Sequence, residues 1–210
     1  MDVWNKIDNE LEKTINQIFK GYKLRKLDDY EKRNIIFDYL TETVSYDFEL
    51  LDKIRDCEIN KTRITRDPAM ELIDVIYTKV GICNSISQYY KLLLEKVGIA
   101  SHCVICDDGS EVKHQMTLVY DKNHDIYSFD DVTSVIVNRG TKEDYFDYDR
   151  EQANSMDQGN VLLFNNDGFF ILPESYVSFL VSRKEEPTKN LEQMPDNIAS
   201  VKETSKKCKK

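Results

Sequence analysis

The stretch Lys79-Val80-Gly81-Ile82-Cys83-Asn84-Ser85-Ile86-Ser87-Gln88-Tyr89-Tyr90-Lys91-Leu92-Leu93-Leu94-Glu95-Lys96-Val97-Gly98 decides the fold. Ile86, Tyr89, Tyr90, Leu93 and Val97 recur at three- and four-residue intervals, the period of a helix with one buried face. Gly98 follows where a C-terminal stop belongs. Gly81 predicts a sharp turn, so the helix is expected over Asn84–Val97 with Cys83 at its N-terminal boundary. From Ile99 the period changes to two. Strands are expected over Ser101–Cys106, Val112–Tyr120 and Ile126–Thr133. The links Asp107-Asp108-Gly109-Ser110 and Asp121-Lys122-Asn123-His124-Asp125 carry turn residues. A helix followed by an antiparallel meander is an α+β arrangement.

Upstream, Trp4, Ile7, Leu11, Ile15, Ile18 and Phe19 predict a first helix ended by Gly21. A second is expected over Asp28–Thr43, with Tyr30, Ile35, Ile36 and Leu40 on its buried side. The polar stretch Asp56–Pro68 predicts a loop, and Ala69–Tyr77 a short helix. Downstream, Asn138–Gln158 is acidic, rich in Tyr and Asp, and without a clear period, which predicts a surface excursion. Val161–Phe164 and Phe169–Leu172, joined by Asn165-Asn166-Asp167-Gly168, predict a hairpin. Pro173–Val181 predicts a closing helix. From Arg183 the chain is charged and poor in hydrophobics, the composition of a disordered tail. One domain over 1–182 is expected, with a helical lead-in (1–34), a core (35–136) and a C-terminal extension (137–182), followed by the tail 183–210.

The chain has 210 residues, 40% hydrophobic and 32% charged, which suits a globular protein with one full-sized core. Its net charge of -9 argues against a general nucleic-acid binder, which needs a basic face to displace counterions. The apolar stretches are far shorter than a membrane span. Met1-Asp2-Val3-Trp4-Asn5-Lys6 lacks the basic and apolar regions of a signal peptide. Five cysteines, an odd number without framework spacing, predict free thiols in a reducing cytoplasm.

Such a setting leaves room for a reactive thiol. At a helix N-terminus, unpaired amides and the helix dipole favour a thiolate over a thiol at Cys83. The same amides can hold the oxygen anion of a tetrahedral intermediate. The chain has three histidines. His114, near the start of a strand, is the candidate base; His124 falls in a turn, and His102 lies on a strand with a weaker claim. A base needs a third group to fix its tautomer, and Asp130 and Asp131, in an otherwise apolar segment, are both candidates. The expected base is a neutral imidazole.

Cysteine at a helix start, histidine on a strand and aspartate on the next resembles the transglutaminase-like superfamily of papain-related folds. The resemblance covers about Ile35–Ile136. It is carried by Asp38-Tyr39-Leu40, Val44-Ser45-Tyr46-Asp47, Gly81-Ile82-Cys83, Leu92-Leu93-Leu94-Glu95-Lys96-Val97-Gly98-Ile99, His114-Gln115-Met116-Thr117-Leu118-Val119 and Asp131-Val132-Thr133. Bacterial members read Tyr-Asp, Gly-Val-Cys, Gly-Ile, His-Ala-Trp and Asp-Val-Thr-Trp in that order. The resemblance implies a catalytic triad of Cys83 as nucleophile, His114 as base and Asp131 as orienting acid. Asp131 is preferred to Asp130 because it opens the Asp-x-Thr pattern. It also implies that Tyr46 lines the cleft or supports the oxyanion. The implied activity is acyl transfer or hydrolysis on an amide of a protein or peptide substrate, with no metal or organic cofactor required. Met116 and Ser134 stand where those members carry aromatics, and Asn84-Ser85 departs after the cysteine, which implies a different substrate cleft. A catalytically silent module that keeps the fold for binding or assembly is the alternative.

Cys103-Val104-Ile105-Cys106 suggests a metal or redox pair, but residues three apart on a strand face opposite sides, which predicts core packing. Asp144-Tyr145-Phe146-Asp147-Tyr148-Asp149 is expected to be a solvated loop. The run Lys206-Lys207-Cys208-Lys209-Lys210 is expected to solubilise the end of the chain.

Overall fold

In the computed structural model, residues 3–62, 68–107, 113–122, 126–148, 160–165 and 168–171 are described. Helix α1 (Val3–Ile18) buries Ile7, Leu11, Ile15 and Ile18, with Phe19 just beyond. Trp4 begins the same stripe in sequence but is largely exposed. Helix α2 (Asp29–Thr43) starts at a capping box: the Glu31 amide donates to Asp28 Oδ1 and the Asp28 amide donates to Glu31 Oε2. Ile36, Phe37 and Leu40 are buried on this helix, whereas Tyr30 is exposed and Ile35 half-buried. Arg33 is also buried, on the apolar stripe itself.

Strand β1 (Ser45–Tyr46) is followed by helix α3 (Phe48–Ile59), capped by Asp47 through the Leu50 amide. This helix runs into the stretch expected to be a loop, and none of its residues is fully buried. Helix α4 (Pro68–Thr78) leads to strand β2 (Val80–Gly81), which pairs in parallel with β1 as Ser45↔Val80 and Tyr46↔Gly81. Gly81 is therefore a strand residue rather than a turn. A Cβ there would lie 2.6 Å from Ser85 Oγ and 2.9 Å from Val75 Cγ2, so the absence of a side chain lets β2 approach the next helix.

That helix, α5 (Cys83–Lys96), is the centre of the molecule. It buries Ile86, Tyr89, Tyr90, Leu93 and Leu94 and packs against α1, α2, α4 and the sheet. Gly98, with φ +83°, stops it in the left-handed region that glycine tolerates. Strands β3 (Ser101–Asp107), β4 (His114–Asp121), β5 (Ile126–Asp130), β6 (Asn160–Asn165) and β7 (Gly168–Ile171) form one sheet in the order β5-β4-β3-β6-β7. The three expected strands form a meander, and the expected hairpin is not an appendage: β6 pairs antiparallel with β3, extending that same sheet.

The third strand ends earlier than expected. Asp130 is its last residue, and Asp131 caps the short helix α6 (Val132–Ile136). The expected surface excursion is likewise corrected over its described part. A one-turn helix, α7 (Lys142–Tyr145), is followed by Phe146 and Tyr148, both buried, and Tyr148 makes a bridge with Phe129 of β5. Alternating acidic residues hid these two anchors, because the segment carries neither period. The expected closing helix over Pro173–Val181 and the tail lie outside the described residues.

Candidate active site

The β1–β2 pairing and the start of α5 place the first element of the site. Ile82 has no side-chain acceptor, so no side chain of its own caps the helix; Ser85 Oγ instead reaches back to the Ile82 backbone. Cys83 is the first helical residue and is 7% exposed. The short parallel pairing brings Tyr46 alongside, close enough for its hydroxyl to interact with the Cys83 amide and thiol. The imidazole of His114 and the backbone amide of Gln115, at the start of β4, also act on the thiol.

His114 Nε2 lies 2.7 Å from Oδ2 of Asp131. With Nε2 engaged by the carboxylate, Nδ1 is the ring nitrogen left for the sulfur. Asp131 is held in turn by Ser134, whose amide donates to Oδ1 (3.0 Å) and whose hydroxyl donates to Oδ2 (2.6 Å). The structure thus pairs His114 with Asp131 and sets Cys83 near enough to His114, the Gln115 amide and Tyr46 for each to act on its thiol. His102 and Cys103 stand apart from it. His102 is half-buried on β3, and desolvation takes its imidazole down to about 4. Burial pushes the Cys103 thiol up to about 12, the behaviour of a packed core cysteine; the Cys106 side chain and His124 lie outside the described residues. Among the described residues, no group of three or more His, Cys, Asp and Glu is placed to hold a metal ion.

The electrostatics follow from this geometry. Burial pushes the Cys83 thiol up, but the hydrogen bond and charge of His114, with the Gln115 amide, outweigh it and take the thiol below its ordinary value. Burial pushes the His114 imidazole down, and the charge and hydrogen bond of Asp131 overcome it, raising the ring well above its ordinary value. Burial raises the Asp131 carboxyl, and its contacts with His114 and Ser134 bring it below the usual carboxylate range. Opposed shifts at Cys83 and His114 favour a thiolate beside an imidazolium. These directions lean away from the neutral imidazole expected from the sequence, because a buried carboxylate sits behind the ring.

Gln115 and Ser134 carry contacts that motif reading did not assign. Gln115 uses its backbone amide, which no side-chain pattern reveals. Ser134 was legible: Asp131-Val132-Thr133-Ser134 is a capping sequence, with an Asp acceptor three residues before the amide it receives. Tyr148 donates a 2.6 Å hydrogen bond to Met116 Sδ, so Met116 is part of the buried packing of the sheet.

No protein-family model matches the sequence, and no curated protein does. Among solved structures, the chain is similar to a crystal structure of a TGase, with TM-score 0.51 and 14% identity over 84% of this chain. The match spans 46% of that chain, so the present chain corresponds to less than half of its length. At this identity the likeness is one of fold, and it agrees with the mixed α+β architecture and with a transglutaminase-like arrangement of helix and sheet.

Proposed function

We propose that this chain is a cysteine-dependent acyl-transfer enzyme acting on amide bonds of a protein or peptide. Cys83 is the nucleophile, His114 the acid–base residue and Asp131 the group that orients and charges the ring. The observation that supports this reading is the buried His114–Asp131 pair, 2.7 Å apart, beside the Cys83 thiol at the N-terminus of α5. The Cys83 thiolate attacks the amide carbonyl carbon. The new oxyanion is held by the Cys83 amide and the Tyr46 hydroxyl, which already meet beside the sulfur. Collapse breaks the C–N bond while His114 gives its proton to the leaving amine, and a thioester remains on Cys83. Water or a second amine, deprotonated by His114, then attacks the thioester and releases the thiolate. Water makes the protein a peptidase or amidase; an amine makes it a protein transglutaminase.

A second reading is favoured by one observation: Cys83 is 7% exposed, and the Tyr46 hydroxyl lies against its sulfur. In this reading the chain is a catalytically silent module that keeps the fold for binding. Acid-quenched incubation with a library of peptide amides separates the two. The enzyme reading expects an acyl adduct on the Cys83 peptide by mass, absent from Cys83→Ser. A folded protein whose Cys83 alkylates with iodoacetamide but never acylates would support the silent module.

A further inference from the structure

A second buried polar group lies beside the triad and takes no part in the proton line. Arg33 of α2 is 2% exposed. Its Nε donates to Asp130 Oδ2 (2.5 Å), its Nη2 to Asp130 Oδ1 (2.6 Å) and its Nη1 to Asp147 Oδ1 (2.7 Å). Asp130 also accepts from the Tyr90 hydroxyl (2.7 Å) and the Asp147 amide (2.8 Å), and the guanidinium lies 4.8 Å from the centroid of the Phe146 ring. Every nitrogen of the guanidinium donates, with a two-pronged guanidinium–carboxylate pair at the centre of the group.

Two of the elements it joins lead to triad residues: α5 bears Cys83, and β5 runs directly into Asp131. Asp130 and Asp131 are consecutive: one turns to Arg33 and Tyr90, the other to His114. Tyr90 sits on α5 seven residues after Cys83, within about 20° of the same helix face and about 10.5 Å along the axis. One carboxylate therefore ties the helix bearing the nucleophile to the strand end bearing the acid, while Arg33 anchors that carboxylate to α2. A buried pair of this kind contributes little net stability compared with apolar packing, but it fixes geometry sharply. A sulfur–imidazole–carboxylate line needs such fixing, since small displacements lengthen its hydrogen bonds.

We propose that Arg33, Asp130 and Tyr90 are positioning residues that set the register of Cys83 against the His114–Asp131 pair. This rests on the acyl-transfer reading of Cys83, His114 and Asp131. Without the clamp, β5 keeps its ladder to β4, in which Asp130 pairs with Thr117, but α5 is no longer tied through Tyr90 to that strand end, and Cys83 can shift against Asp131.

The test compares two neighbouring tyrosines of α5. Tyr90→Phe removes one hydroxyl from the clamp. Tyr89→Phe removes one that bonds Thr14 Oγ1 (3.2 Å) and Lys79 Nζ (2.9 Å) instead. Iodoacetamide labelling of Cys83 is measured against pH, relative to half-buried Cys57 in the same molecule, with thermal melting in parallel. Tyr90→Phe is expected to lower the Cys83/Cys57 ratio about tenfold at mildly acid pH, the effect of losing one hydrogen bond to a charged group. Its pH profile should move toward alkaline values, while Tyr89→Phe keeps the wild-type profile. Arg33→Lys keeps the charge but loses the fork and should shift the profile in the same direction. Equal profiles for the two tyrosine variants overturn the positioning role. A wild-type Cys83 that labels no faster than Cys57 at any pH overturns the acyl-transfer reading itself, and the positioning role with it.

Discussion

Replacing Asp131 by Asn removes a charge while keeping the shape, and the structure says what each lost contact does. Asp131 receives the His114 ring at 2.7 Å, the Ser134 hydroxyl at 2.6 Å and the Ser134 amide at 3.0 Å. Asn retains one oxygen, which can still cap α6 at the Ser134 amide. Its other head atom is an amide nitrogen, a donor that cannot accept from an imidazolium. A hydrogen bond to a charged partner contributes about 1.5–3 kcal/mol, and about 1.4 kcal/mol corresponds to a factor of ten. The thiolate–imidazolium form of Asp131→Asn should therefore fall by about 10- to 150-fold relative to the neutral pair. In stopped-time alkylation of Cys83 with iodoacetamide, followed by peptide mass, the loss appears as a drop in rate at mildly acid pH. The rates should converge above the ordinary thiol value of 9.0, where ionisation no longer needs the ring. An unchanged acid-side rate in a folded Asp131→Asn protein would refute the role given to the carboxylate.

Three further outcomes are expected. Tyr46→Phe removes the hydroxyl that meets the Cys83 amide and sulfur, and turnover should fall by about 10²-fold with KM nearly unchanged, as for loss of an oxyanion donor; a rise in turnover would show that the hydroxyl only blocks the sulfur. Gly81→Ala forces a Cβ into Ser85 Oγ and Val75, and urea unfolding should report a loss of about 1–3 kcal/mol, with no loss meaning that β2 can retreat from α5. The pH dependence of stability carries two opposed contributions. The raised His114 value gives stability that is complete below the ordinary 6.5 and lost as pH rises through the folded value. The lowered Cys83 value gives stability that is complete above the ordinary 9.0 and lost as pH falls through the folded value. Between those pH values the two oppose each other, so wild-type melting should vary little there, whereas Cys83→Ala should lose stability as pH rises from the imidazole range.

Much of the fold was legible because it rests on strong periodicity. Helix α5 and strands β3 and β4 follow from apolar spacing and from the change of period after Gly98. The segment 138–148 was not, because its anchors Phe146 and Tyr148 flank a charged residue, Asp147, whose partner is remote. Asp147 makes sense only beside Arg33, more than a hundred residues earlier. Arg33 itself left a trace: it falls on the stripe of Ile36, Phe37 and Leu40, where a charge needs a buried partner. Asp130 and Asp131 showed as misplaced charges in an apolar segment, and both are buried with partners. What pattern alone could not assign is which aspartate meets which partner, since that depends on the strand ending at Asp130. The parallel pairing of two-residue strands that sets Tyr46 beside Cys83 is too short to leave a periodic signal.

The central claim is that the Cys83 proton rests on His114 before any substrate binds. Nitrogen NMR of the His114 ring measures this directly. Both ring nitrogens should be protonated in the wild type at neutral pH. In Cys83→Ala, with the thiolate gone, the ring should release its proton at a lower pH. A wild-type ring with one bare nitrogen at neutral pH, unchanged by removal of the sulfur, would contradict it.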